Sequence, residues 1–192
     1  AYNGCYPPEP SPWEKIFLSE KLGWNLPYAE HSVQNADVNL VTNLAATMSD
    51  TVILKVPLNS SEYYLIENRI RDANSDGSKI TLSVGGNVIT KTFLNDTTGY
   101  QSFDVDSLSG VILDVDEFDW AVPGNGIVIW HIDENVINEK IAENKVNTDK
   151  KRRGVDVEEA DGVQDIGERF FTIFGDEVIG EGTEEDFWFA SN

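Results

Sequence analysis

Residues 51–69 read TVILKVPLNSSEYYLIENR, and from Thr51 the pattern of the chain becomes that of strands. Apolar side chains stand at every second position from Val52 to Leu58, the period of a strand with one face toward a core. Asn59-Ser60-Ser61 is a turn sequence, and aromatic and aliphatic residues fill the next run, 62–69. The stretch therefore predicts a β-hairpin, and Pro57, which has no N–H to donate, places the end of its first strand at a sheet edge.

Further strand signals follow toward the C-terminus. Segments 79–84 and 87–93 flank Gly85-Gly86, and two-residue glycine turns suit the twist of paired strands, so these segments predict a second hairpin. Segments 110–115 and 154–161 predict single strands. Segment 126–133 is apolar on both faces, which predicts a central strand of the sheet.

Two helices are predicted beside these strands. Ser11 provides an N-cap, Pro12 suits the first helical position, and Glu14 stands three residues after the cap, so a helix is expected over 12–22. A second helix is expected over 134–146, capped by Asp133.

These signals together predict a mainly β fold, an antiparallel sheet or sandwich with the two helices at its periphery. Short turns separate the strands, and no alternation of strand, helix and strand indicates a parallel sheet. We expect 1–192 to form a single β-rich domain, with loop and a short edge strand over 24–49. The chain starts Ala-Tyr-Asn-Gly, and we interpret it as a processed or excised piece.

The charge of the chain excludes several function classes. Its 192 residues hold 14 Lys and Arg against 34 Asp and Glu, a formal net charge of −20. A basic face for nucleic acid or an anionic membrane is not expected, whereas cation binding is favoured. No apolar run reaches the roughly 20 residues of a membrane helix, so no membrane insertion is expected. Cys5 is the single cysteine, which rules out an internal disulfide.

One local pattern predicts a metal. Segment 72–77 reads DANSDG, which places Asp72, Asn74 and Asp76 at relative positions 1, 3 and 5 and a glycine at position 6, as in a calcium loop. The carbonyl of Ser78 is a candidate fourth ligand. Position 12 is Ser83 rather than the glutamate of an EF-hand, so an ordinary turn between strands remains the alternative.

Catalytic patterns are missing from the sequence. His31 and His131 are the only histidines and neither belongs to an H-E-x-x-H motif, so no zinc and no catalytic residue are expected in this chain. The acidic residues of segment 114–119 predict a solvated acidic face, because 34 acids produce such clusters by chance. Glu67 and Arg69, at the end of their strand, are interpreted as a structural pair that meets buried polar groups across the sheet.

Four stretches in order suggest a family. They are PSPWEK through LGW at 10–24, EYYLIENR at 62–69, FDWAVPGNGIVIWHID at 118–133, and GVDVEEADG at 154–162. Over residues 10–165 the chain thereby resembles the immune inhibitor A family of secreted bacterial zinc metallopeptidases. The E-N-R and W-H-I-D stretches, with Trp130, His131 and Asp133, are structural motifs of this resemblance.

The resemblance implies a secreted or cell-surface protein and a non-catalytic, β-rich portion of the peptidase unit. The zinc-binding helix of the family would precede residue 1, so the partner implied is an upstream catalytic part of the same parent protein. Segment 72–115 looks like an insertion that carries the calcium loop, and the resemblance says nothing about it.

Two other functions stay open on the sequence. The chain is alternatively an independent calcium-dependent extracellular binding module that uses exposed aromatic side chains such as Trp120 or Trp188. A hydrolase with a carboxylate pair is the third hypothesis, since paired carboxylates can act as acid and base.

Overall fold

The computed structural model describes residues 8–23, 29–32, 52–94 and 109–189, and gives only the backbone of 29–32 and of Val52. In these residues the helices are α1 (Pro12–Leu22) and α2 (Glu134–Lys140). In chain order the strands are β1 (Ala29–Ser32), β2 (Val52–Pro57), β3 (Glu62–Arg69), β4 (Ser78–Val84), β5 (Asn87–Phe93), β6 (Val111–Val115), β7 (Gly126–Asp133), β8 (Val155–Glu158), β9 (Arg169–Phe171) and β10 (Glu177–Ile179). The rest of the predicted loop region 24–49 lies outside the described residues.

The main sheet has five strands in the order β1-β2-β3-β7-β8. The pairs β2–β3, β3–β7 and β7–β8 are antiparallel, while β1 joins β2 in parallel at the edge. The predicted mainly β, antiparallel fold is therefore confirmed, and residues 52–69 supply its first hairpin. β7 has a partner on both sides, as its apolar sequence predicts.

The core of the main sheet lies beneath the two helices. Its fully or nearly fully buried members are Ile53, Leu65, Ile132 and Ile137. Trp13 and Ile16 of α1 pack against this cluster. α1 starts as predicted, because Ser11 Oγ accepts the N–H of Glu14 and the Glu14 carboxylate accepts the N–H of Ser11. Helix and sheet thus share one apolar core.

A second sheet, in the order β5-β4-β6, arises from segment 78–115. Gly85 and Gly86 make the predicted turn between β4 and β5, with φ angles of 57° and 85°. Ile80 and Leu82 of β4 pack against Trp120 and against Ala121. The second sheet therefore has its own small core. That 72–115 is an insertion stays a prediction.

α2 is shorter than predicted. Its α-helical part ends at Lys140 rather than near 146, and a 3₁₀ turn over Ile141–Glu143 follows. Asn144 then takes a left-handed conformation with φ of 54°, which ends the helical path. The chain reverses there and Val146 packs on the main core. No helix in the described part of the chain is long and apolar enough to cross a membrane.

β9 and β10 form a separate two-stranded hairpin with an apolar tip. The Thr172 hydroxyl accepts the N–H groups of Phe174 and Asp176, which fixes the turn. Ile173 is 94% exposed and Phe174 is 85% exposed. The tip therefore presents two large apolar side chains to solvent.

Candidate metal centre

The loop between β3 and β4 folds around the carboxylate of Asp72. Its Oδ1 accepts the N–H of Asp76 at 3.1 Å, and its Oδ2 accepts the N–H of Gly77 at 3.1 Å. Gly77 has a φ of 82°, and a Cβ at this position would lie 2.2 Å from the carbonyl oxygen of Phe93. The sharp turn therefore requires glycine, as in loops that wrap a cation.

Glu117 follows β6 in sequence and lies against this loop. Its side chain is fully buried, and Oε1 accepts the backbone N–H of Asn74 at 3.1 Å and the side-chain Nδ2 of Asn74 at 2.9 Å. Its Oε2 has no hydrogen-bond partner among the described residues. A buried carboxylate oxygen without a partner is costly. A cation bound at Oε2 would offset that cost.

Asp72, Asp76 and Glu117 form one group. Each offers a carboxylate oxygen, and these three oxygens lie within 4.8 Å of one another. Calcium binds carboxylate and carbonyl oxygens at about 2.3–2.6 Å, so an ion between these groups is compatible with their spacing. An acidic cluster alone would carry little weight, but here one of its residues, Glu117, also has a buried carboxylate oxygen without a hydrogen-bond partner among the described residues.

Of the four ligands predicted from sequence, the structure brings Asp72 and Asp76 together. Asn74 lies beside them, and because its Nδ2 donates to Glu117, its Oδ1 is the atom that remains to ligate a cation. Ser78 begins β4, where it pairs with Phe93, and its hydroxyl donates to Asp116 at 3.4 Å.

Sequence reasoning missed Glu117. The prediction of a solvated acidic face is wrong for Glu117 and for Asp119, which are both 0% exposed. Their burial follows from the turn Phe118–Ala121, which places Trp120 and Ala121 in the core of the second sheet. The spacing of the acidic residues in segment 114–119 follows no strand or helix period, so the sequence does not show which of them are buried.

The charge around the group is strongly negative. Burial raises the pKa of the Glu117 carboxyl, although the N–H groups of Asn74 and Ala73 act in the opposite direction. Lys79 supplies a nearby positive charge, since its Nζ donates to Asp76 Oδ2 and lies 3.8 Å from Asp116 Oδ2. The hydrogen bond to Asp76 is the main cause that raises the pKa of Lys79.

A second acidic group contains Glu159, Asp161 and Asp186. The Glu159 carboxylate accepts the N–H groups of Asp165 and Ile166, and Asp186 accepts the N–H of Thr183. These two buried carboxylates hold local turns in place. They do not present an unpartnered oxygen, and we assign this group a structural role.

The E-N-R and W-H-I-D stretches meet in a buried ionic cluster. Arg69 donates through Nε to Glu67 Oε1 at 2.7 Å and through Nη1 to Asp119 Oδ1 at 3.0 Å. Trp130 Nε1 donates to the same Glu67 oxygen at 2.9 Å. Lys15 of α1 lies 3.9 Å from Glu67 Oε2. Glu67 and Arg69, both on β3, therefore meet buried polar groups from β7, from the turn at Asp119 and from α1.

The remaining motif residues also have structural contacts. Asp133 caps α2 by accepting the N–H groups of Asn135 and Val136. His131 is half-buried beside Tyr64, with its Nε2 at 3.6 Å from Glu62. His31 lies in β1, of which only the backbone is described.

The two tryptophans suggested for ligand binding, Trp120 and Trp188, differ in their solvent exposure. Trp120 is only 3% exposed, so the suggestion that it forms an exposed binding surface is wrong. Trp188 is 43% exposed, but its Nε1 donates to the carbonyl of Glu158 at 3.0 Å.

Comparison with known proteins leaves the family unassigned. No family model, no curated protein and no solved structure matches this chain. The site therefore has to be interpreted from its own geometry.

Proposed function

We propose that this chain is a non-catalytic, calcium-stabilised β-rich portion of a secreted metallopeptidase-like protein, with an upstream catalytic part of the same parent protein as its partner. The peptidase relationship is supported by the motif resemblance alone. The calcium role is supported by the structure of the loop and its neighbours. The observation that carries it is that Glu117, which groups with Asp72 and Asp76, has a buried Oε2 without a hydrogen-bond partner among the described residues.

The position of the site suggests what calcium does. The loop links β3 of the main sheet to β4, the central strand of the second sheet, and Glu117 follows β6, an edge strand of that second sheet. An ion held by Asp72, Asp76 and Glu117 would link the loop that precedes β4 to the segment that follows β6. Calcium would thereby stabilise the folded chain without taking part in chemistry.

The charge of the molecule agrees with this role. With a formal net charge of −20, the folded chain gains from a bound divalent cation at the point where carboxylates converge. Extracellular modules bind calcium with dissociation constants of about 10⁻⁴–10⁻³ M, which suits a secreted protein.

A thermal unfolding experiment tests the proposal. Millimolar calcium should raise the melting temperature of the wild-type chain, because a ligand that binds only the folded state stabilises it by mass action. Asp76→Asn should lose most of that rise. Asp114→Asn is the matched control, since it removes the same charge from an exposed position of β6 and should keep the rise.

Ionic strength has to be equal in all samples, because added salt screens an acidic surface without binding at a site. Magnesium at the same concentration should raise the melting temperature less, since it prefers a smaller octahedral site with several waters. An equal calcium effect in wild type, Asp76→Asn and Asp114→Asn would disprove the site.

A further inference from the structure

Lys79 contacts the same carboxylate that the calcium proposal uses. It is the second residue of β4, and its side chain is 46% exposed. Its Nζ donates to Asp76 Oδ2, three residues earlier in the chain. The backbone N–H of Lys79 donates to Asp116 Oδ1 at 2.6 Å, which fixes the base of the side chain. The ammonium group is therefore tethered at the edge of the candidate metal centre.

The contact creates a competition at Asp76. One carboxylate oxygen of Asp76 lies within 4.8 Å of oxygens from Asp72 and Glu117, and its Oδ2 also accepts from the Lys79 ammonium. A divalent ion at these oxygens and an ammonium on Asp76 repel each other. Calcium therefore either displaces the Lys79 ammonium from Asp76 or binds close to that positive charge.

Asp116 offers the displaced lysine a second position. Its Oδ2 already lies 3.8 Å from Lys79 Nζ, and its side chain is 30% exposed. A small rotation of the lysine side chain can exchange Asp76 for Asp116 without a change in the backbone. The two carboxylates thus form alternative partners for one cationic side chain.

We propose that Lys79 is a built-in competitor of calcium that weakens the affinity of this site. The inference rests on the proposed function, namely that Asp72, Asp76 and Glu117 hold calcium. Lys79 neutralises Asp76 when calcium is scarce and moves to Asp116 when the ion binds. The site then fills only at the high calcium concentrations typical of extracellular modules, about 10⁻⁴–10⁻³ M.

The size of the effect follows from Coulomb's law. The Lys79 ammonium and the Asp76 carboxylate, whose contact calcium has to break, are unit charges, and two unit charges about 4 Å apart in bulk water interact strongly enough to change an equilibrium constant about fivefold. Lys79 is nearly half exposed, so the value for water applies rather than that for a protein interior. Removal of this charge should therefore tighten calcium binding about fivefold.

Calorimetric titration with calcium chloride tests the inference on the full chain at constant ionic strength. Lys79→Gln should bind calcium about fivefold more tightly than the wild type, and Lys79→Met should behave in the same way. Lys79→Arg keeps the charge and should stay within about twofold of the wild type. Lys145→Gln is the matched control, because Lys145 is 57% exposed and pairs with Glu143 in a different part of the molecule.

The outcomes separate the two proposals. If the wild type binds calcium but Lys79→Gln and Lys79→Met bind no more tightly than Lys145→Gln, the role of Lys79 is overturned and the calcium site stands. If neither the wild type nor any variant binds calcium, both the site and the competition are overturned. Tighter binding in Lys79→Arg, equal to that in Lys79→Gln, would also contradict a competition based on charge.

Discussion

Removal of Arg69 should strongly destabilise the chain. It is 5% exposed and pairs with Glu67 and Asp119, which are both fully buried. Arg69→Met would leave two buried carboxylates without their counter-charge, and a loss of about 3–5 kcal/mol in the free energy of unfolding is expected. Urea unfolding measures it.

Arg152→Met is the control for this prediction. Arg152 is 54% exposed and pairs with Glu139 at the surface, so the loss should stay below about 1 kcal/mol. Equal losses in the two variants would show that the Glu67–Arg69–Asp119 cluster does not hold the fold together.

The same cluster predicts a pH dependence. Burial is the largest cause that raises the pKa of Glu67 and of Asp119, with Arg69 acting in the opposite direction. A carboxyl group whose pKa is higher in the folded than in the unfolded state takes up its proton first in the folded state. Its contribution to stability is therefore complete below the unfolded pKa and is lost as pH rises through the folded pKa.

Urea unfolding across this pH range checks the sign. As pH falls from neutral toward the ordinary glutamate pKa, the wild type should gain stability relative to Glu67→Gln, which cannot titrate at this position. A stability difference between the two proteins that stays constant with pH, or that moves in the opposite direction, would contradict the raised pKa of Glu67.

At the scale of elements, the turn that opens the second sheet should tolerate no side chain at Gly77. Gly77→Ala would combine a φ of 82° with a Cβ only 2.2 Å from the Phe93 carbonyl oxygen. Gly85→Ala shares the positive φ but meets no atom within 4 Å, and should cost about 1–2 kcal/mol. Gly77→Ala should cost at least about 2 kcal/mol more, measured by urea unfolding in calcium-free buffer.

Similar losses in the two glycine variants would show that the loop at 72–77 can relax away from β5. The calcium loop would then lack the fixed backbone path that its hydrogen bonds indicate.

The strands and turns are the elements that the sequence predicts well, and their signals are local. The alternation of apolar residues in 52–58 and the Gly85-Gly86 turn are signals from neighbouring residues only, and the hairpins that they predict both appear in the structure. The end of α2 at Lys140 was not predictable in this way. The left-handed conformation of Asn144 and the packing of Val146 on the core accompany the end of the helix, and the packing of Val146 is a tertiary contact.

The candidate site likewise combines residues that a local motif predicts with one that only tertiary structure brings in. Asp72, Asn74 and Asp76 lie within five residues, so a motif reveals them. Glu117 comes from beyond three further strands, and only the pairing of β4 with β6 brings its segment back to the loop. Its burial also depends on Trp120, which enters the core of the second sheet.

At the scale of the whole molecule, we predict no stoichiometric zinc and no peptidase activity on casein for this chain. A hydrolytic zinc site needs about three protein ligands and an open position for water. The two histidines are far apart in sequence, and His131 lies beside Glu62 and Tyr64. One tightly bound zinc per chain, with chelator-sensitive proteolysis that His131→Ala abolishes, would contradict the prediction.

The central claim is that one calcium ion binds where Asp72, Asp76 and Glu117 converge, and equilibrium dialysis followed by metal analysis tests it most directly. Glu117→Gln keeps the size of the side chain and removes its charge, whereas Glu20→Gln removes the same charge from an exposed position on α1. At equal ionic strength and millimolar calcium we predict one ion per chain for the wild type and for Glu20→Gln, and none for Glu117→Gln. Equal calcium content in all three proteins, or none in the wild type, would contradict the account.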